Sequence, residues 1–156
     1  MENCEVIRKS EEGDWTGMFW RFEAAADPTV DIMLSRDCDS RLNSREAEAV
    51  KEWLGGPGNF HIMRDHPYHG TEILGGMWGS RGTIPNIIDA MNNFEKGDYW
   101  QVDQNFLKTI YQQVKPFACV HDEFFEKKPF PKDAPARTNS YFVGQVYSHS
   151  DIAEFK

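Results

Sequence analysis

Three short apolar runs in this chain each end in a charged cluster. Residues 30–34 lead into Arg36-Asp37, residues 60–63 into Arg64-Asp65, and residues 117–120 into His121-Asp122. Runs this short and this rich in β-branched and aromatic residues read as buried strands, and helical patterns separate them. Asn43 or Ser44 caps a helix over residues 45–54, with Val50, Trp53 and Leu54 on one face and Gly55-Gly56-Pro57-Gly58 closing it. Two more helices are expected over residues 84–94, beginning at Pro85, and 103–114, ending before Pro116. A short buried helix over residues 18–26 follows a turn at 13–17 and stops at Asp27-Pro28. Further strands are expected over residues 4–8, 73–78 and 141–146, and a loop over 127–137. Alternating strands and helices predict an α/β domain with a mixed sheet flanked by helices. If the three charged tips run parallel they share one edge, where such sheets bind ligands.

A length of 156 residues fits a single domain, with residues 147–156 expected as a frayed tail. Aromatics at 13% supply enough bulk for a packed core. The net charge of -8 argues against a nucleic-acid partner, which needs a basic face. No run approaches the length of a membrane span, and the acidic N-terminus lacks a signal core, so a cytoplasmic protein is expected. Cys4, Cys38 and Cys119 are far apart and form no CxxC pair, which argues for reduced thiols and against structural zinc. His61, His66 and His69 lack the spacing of a zinc motif, and Pro67 breaks any helix there.

The densest chemistry is Asp37-Cys38-Asp39-Ser40-Arg41. Two carboxylates two residues apart at a strand end suit a hard divalent cation, Mn²⁺ or Mg²⁺, shared with phosphate. The plain alternative is a solvated turn. His121-Asp122-Glu123 offers an imidazole with two acids that could orient it. Arg64 has the planar fork that meets phosphate, and Asp65 is a candidate general base; an Arg-Asp pair that stiffens a loop is the alternative. Gly75-Gly76 allows close backbone approach, or is a bulge in a strand. Trp78 stacks on a sugar or fills the core. Asp103-Gln104 caps a helix, binds sugar, or does both. Lys127, Lys128 and Lys132 form the main basic patch.

Asp37 to Asp39 after an apolar strand resembles the Asp-x-Asp metal motif of GT-A nucleotide-sugar glycosyltransferases. Asp103-Gln104, and His121 followed by Lys128-Pro129-Phe130, are similar to segments of the galactosyltransferase and glycogenin-like family. Residues 31–81 also resemble bacterial and viral glycosyltransferase-like proteins, through Asp37-Cys38-Asp39-Ser40-Arg41, Met63-Arg64-Asp65-His66 and Gly75-Gly76-Met77-Trp78-Gly79. The resemblance implies the C-terminal, metal and acceptor part of a GT-A fold, with the nucleoside-binding part expected ahead of it. It implies a hexosyltransferase-like activity that moves a sugar from a nucleotide-diphosphate donor, UDP favoured, to a glycan or other hydroxyl. It implies Asp37, Asp39 and His121 as metal ligands, Arg64, Asp65 and Asp103 as catalytic groups, and Arg41, Gly75, Gly76, Trp78, Gln104 and Lys128 as substrate contacts. Two other readings stand beside it: a truncated sugar- or metal-binding module without turnover, and a metal-dependent phosphohydrolase.

Overall fold

A computed structural model describes residues 3–150. Four strands, β1 (Ile32–Arg36), β2 (Phe60–Arg64), β3 (Met77–Arg81) and β4 (Ala118–Asp122), form one sheet in the order β1-β3-β2-β4. β3 is antiparallel to both β1 and β2, and β4 is parallel to β2. β1, β2 and β4 therefore point the same way, and their carboxyl ends share one edge with the start of β3. The domain is α/β, with a mixed open sheet flanked by helices.

One face of the sheet carries a 3-10 helix (Trp15–Ala26), α2 (Ile87–Asn93) and α3 (Val102–Val114). Phe19, Phe22, Met91, Phe106, Leu107 and Ile110 pack there with Met33, Ile62, Trp78 and Val120 of the strands. Burial in the 3-10 helix falls on Phe19, Phe22 and Ala25, the spacing of three that its winding demands. The helix α1 (Ser44–Gly55) lies on the other face. Asn43 caps it by accepting from the Glu46 amide at 2.9 Å. Its buried side is Arg45, Glu46, Ala49 and Trp53, so Trp53 alone of the expected Val50-Trp53-Leu54 face is fully enclosed. β2 is buried at all five positions, as a central strand covered on both faces must be.

Several expected elements shift or dissolve. Residues 4–8 form no strand, and residues 141–146 make only two isolated bridges, Thr138 to Tyr141 and Ser40 to Val146. The strand expected over 73–78 begins at Met77, which leaves Gly75-Gly76 in the turn ahead of it. The tail is tied down as far as Tyr147, whose amide donates to the Asp39 carbonyl at 2.8 Å. Residues 151–156 of the expected frayed tail lie outside the described residues. No helix among the described residues is long and apolar enough to cross a membrane.

Candidate functional site

Asp37 sits one residue beyond β1, on the shared carboxyl edge. The Arg21 guanidinium, reaching from the 3-10 helix, pairs with Asp37 through Nη1 and with Asp103 Oδ2 through Nη2 at 3.1 Å. Asp103, in the first turn of α3, is 2% exposed, while the Asp37 side chain is about half exposed at 49%. Burial raises the Asp103 carboxyl above its ordinary range, and Arg21 holds it back. Gly75 and Gly76 complete the arrangement. A Cβ at Gly75 would lie 2.3 Å from Asp103 Oδ2, and one at Gly76 only 2.2 Å from Asp37 Oδ2. Both acids therefore pack against bare backbone, and no other residue leaves them where they are. The Ser35 hydroxyl fixes that turn by donating to the Gly75 carbonyl at 2.6 Å.

Beside this cluster the chain from 146 to 149 folds over the Asp37-Arg41 turn. Cys38, Asp39, Arg41, Tyr147 and His149 line a cavity of about 520 Å³. The Arg41 guanidinium lies 5.4 Å from the Tyr147 ring centre. Asp39 thus shares an open cavity with an imidazole, a planar cation and a phenol. A separate cavity of about 350 Å³ lies around Phe60, Arg81, Ile84 and Phe117, with no acid or histidine in its lining. Its chemistry is poorer, so the carboxyl edge is the better candidate.

The other half of the edge is closed by ion pairs. Asp65 is fully buried; Arg45 grips it with Nε at 2.8 Å and Nη2 at 2.9 Å, and the Val143 amide donates to it at 2.9 Å. A carboxylate so filled cannot serve as a free general base, so the role expected for Asp65 is not supported by its geometry. Arg64 is tied by charge: its Nε, which makes no hydrogen bond, lies 3.0 Å from Asp122 Oδ2, and its Nη2 pairs with Glu126. Burial pushes Glu126 up, but hydrogen bonds from Arg64, Tyr111 and Lys128 together hold it down to about 2. Arg64 is therefore structural rather than a phosphate ligand. Lys128 turns to Glu126 at 3.1 Å, and its backbone pairs with Asp122. Asp122 accepts from the amides of Phe124, Phe125 and Glu126, so it caps a turn instead of orienting His121. Trp78 is wholly enclosed and stacks on Phe60 at 5.1 Å, which makes it core and not a sugar platform.

His121, expected as the third metal ligand, faces α1. Its Nδ1 meets His61 Nε2 at 2.9 Å and its Nε2 meets Glu52 Oε1 at 3.2 Å. None of these partners touches Asp37 or Asp39, so the structure separates His121 from the acidic pair. The imidazole beside Asp39 is His149, inside the stretch read from sequence as a frayed tail. Arg21 was also missed, because a cation inside an apolar helix carries no local mark of its partner. Gln104, half-buried in the first turn of α3, gives its backbone amide to Asp103 Oδ1 at 2.8 Å. No family model, no curated protein and no solved structure matches this chain.

Proposed function

We propose that this domain is the metal- and sugar-binding part of a glycosyltransferase that uses a nucleotide-diphosphate sugar. The observation that carries this reading is the joint placement of Asp37 and Asp103 against the bare backbone of Gly75-Gly76, bridged by Arg21, on the carboxyl edge of the sheet. The two carboxylates fill the room over that backbone, and the half-exposed Asp37 is the one a polyhydroxyl ligand can meet. Asp37 retains an exposed face, and Asp39 opens to the cavity that His149 and Arg41 also line.

By donor type, the carboxylates of Asp37 and Asp39 and the His149 imidazole suit Mn²⁺ or Mg²⁺, but they are not gathered into a ready-made ligand set, so binding would have to draw Asp37 toward the cavity that Asp39 and His149 line. A divalent ion, when bound, supplies positive charge to a leaving diphosphate. The remaining work falls to the chain. Arg41 offers parallel N–H donors to phosphate oxygens. Asp103, buried and bonded to Arg21, holds that guanidinium beside Asp37. Arg21 adds fixed positive charge beside the point where negative charge develops.

A second reading, a binding module without turnover, is favoured by one observation: Asp65, the candidate base, is consumed by Arg45. The test is calorimetric titration of Mn²⁺ with and without UDP, into wild type and Asp37→Asn/Asp39→Asn, beside an assay for UDP release from UDP-sugars. Metal binding that tightens with UDP, and is lost in the variant, supports the site; UDP release then separates enzyme from module. Metal binding that is absent, or indifferent to the variant, overturns both. Phosphate release from simple esters without a sugar donor would instead favour a phosphohydrolase.

A further inference from the structure

Glu52, Cys119 and His121 bring three metal-capable atoms together away from the acidic edge. Cys119 and His121 are two apart on β4 and so share its α1 face. Glu52 reaches down from α1. The ligand atoms all lie within 4.8 Å of one another, and His121 Nε2 is already 3.2 Å from Glu52 Oε1. Ligands on a tetrahedral zinc ion stand roughly 3.3–3.8 Å apart, given bonds of about 2.0–2.3 Å. The remaining closure is about an ångström, and Glu52 can supply it because its side chain is 57% exposed.

A second observation lies behind the cluster. His61 is wholly buried, stacked on Trp53 at 5.0 Å, with Nε2 on His121 Nδ1 and with Nδ1 lacking any partner. A histidine that ligates metal nearly always has its other nitrogen fixed by a buried neighbour. The 2.9 Å contact between the rings accommodates two tautomeric arrangements. In one, His61 donates to His121, and His121 donates to Glu52. In the other, His121 donates to His61, which frees the His121 Nε2 lone pair toward Glu52 and Cys119.

We propose that Glu52, Cys119 and His121 form a zinc site with one open coordination position, set by His61 and independent of Asp37 and Asp39. A thiolate, an imidazole and a carboxylate select zinc over Mg²⁺ or Mn²⁺. On binding, the thiol proton leaves to solvent as the metal–sulfur bond forms. The two imidazole protons move between nitrogens, and none is lost. The open position, at the solvent-facing Glu52, admits water or a small anionic ligand.

The test titrates the full chain with Co²⁺ and then displaces it with Zn²⁺. One equivalent of Co²⁺ should give a thiolate-to-metal charge-transfer band that Zn²⁺ abolishes. Cys119→Ser should remove the band, and Glu52→Gln should weaken binding at least about tenfold. Both substitutions are near-isosteric at positions open to solvent or half-buried, so both variants should fold. Asp37→Asn/Asp39→Asn should leave the band intact, which separates this site from the edge site. No band in the wild type overturns the proposal. So does a band that survives Cys119→Ser, since its thiolate would be Cys4 or Cys38, and so does binding indifferent to Glu52→Gln.

Discussion

Replacing Asp65 by Asn decides whether that carboxylate is chemistry or architecture. Asp65 has no exposed surface, and Arg45 is only 3% exposed. Arg45 cannot shed its charge. Without Asp65 it keeps Glu123 at 3.1 Å, the Pro135 carbonyl at 3.0 Å and the face of Phe130 at 4.0 Å. Glu123 is partly in water, so it compensates weakly. Removing one partner of a buried pair costs about 3–5 kcal/mol. A domain of this size has a total stability of roughly 5–15 kcal/mol. Each kcal/mol moves the midpoint by about 2–4 °C, so Asp65→Asn should lower Tm by roughly 6–20 °C. Arg45→Met should cost less, because Asp65, already raised by burial, can take up a proton and become neutral. Arg45→Met with Asp65→Leu should recover most of the loss. Thermal unfolding by circular dichroism reads all three. An Asp65→Asn protein that melts with the wild type but has lost turnover would refute the argument and restore Asp65 as a base.

Gly76→Ala should reduce Mn²⁺ affinity at the edge site at least about tenfold, since the new Cβ displaces the Asp37 carboxylate; Tm should move little, because that half-exposed pair with Arg21 contributes under about 1 kcal/mol. Trp78→Ala should cost about 3–5 kcal/mol in urea unfolding, the range of a buried aromatic truncation, whatever the ligand. His61 is held down to about 2, chiefly by burial, so its folded form binds fewer protons than the unfolded chain below the ordinary value of 6.5. Its contribution is present above that value and shrinks as pH falls, by about 2 kcal/mol between pH 7 and pH 5. Urea midpoints across that window should fall less steeply in His61→Gln than in the wild type, and equal slopes would refute the assignment. Asp65 and Asp103, both raised, act with the opposite sign, and the comparison with the variant removes them.

Three of the four strands, β1, β2 and β4, were legible because they carry a double mark, an apolar run and a charged end; β3, which joins β1 to β2, overlaps the expected 73–78 strand only at Met77 and Trp78. The position of Asp37 was legible for the same reason, since it follows directly from β1. What sequence could not supply is which charges meet. Neighbours on a strand face opposite ways, so Arg64 and Asp65 part company. Arg64 meets Asp122, its register partner on β4, while Asp65 turns to Arg45 on α1. Alternation alone could have warned of that, but the choice of Arg45 is a matter of tertiary packing. The same rule puts Cys119 and His121 on one face of β4, a spacing that a CxxC pattern does not contain. The apolar residues Ile73 and Trp78 flanking Gly75-Gly76 read as one strand; both are indeed buried, but Ile73 lies ahead of the turn and only Trp78 is in β3.

The winding of the segment Trp15–Ala26 has a consequence in reach. A 3-10 helix rises about 2.0 Å per residue against about 1.5 Å for an α-helix, so its 12 residues extend roughly 24 Å instead of 18 Å. At one end the Trp15 amide meets the Asp98 carboxylate at 3.4 Å; at the other the Ala25 carbonyl receives the Ile84 amide at 2.8 Å. An α-helix would need about four more residues to join the same anchors. The chain spans the flank of the sheet with fewer residues by accepting weaker internal hydrogen bonds, and Arg21 stands midway along that span, at the distance from both ends that delivers it to Asp37 and Asp103.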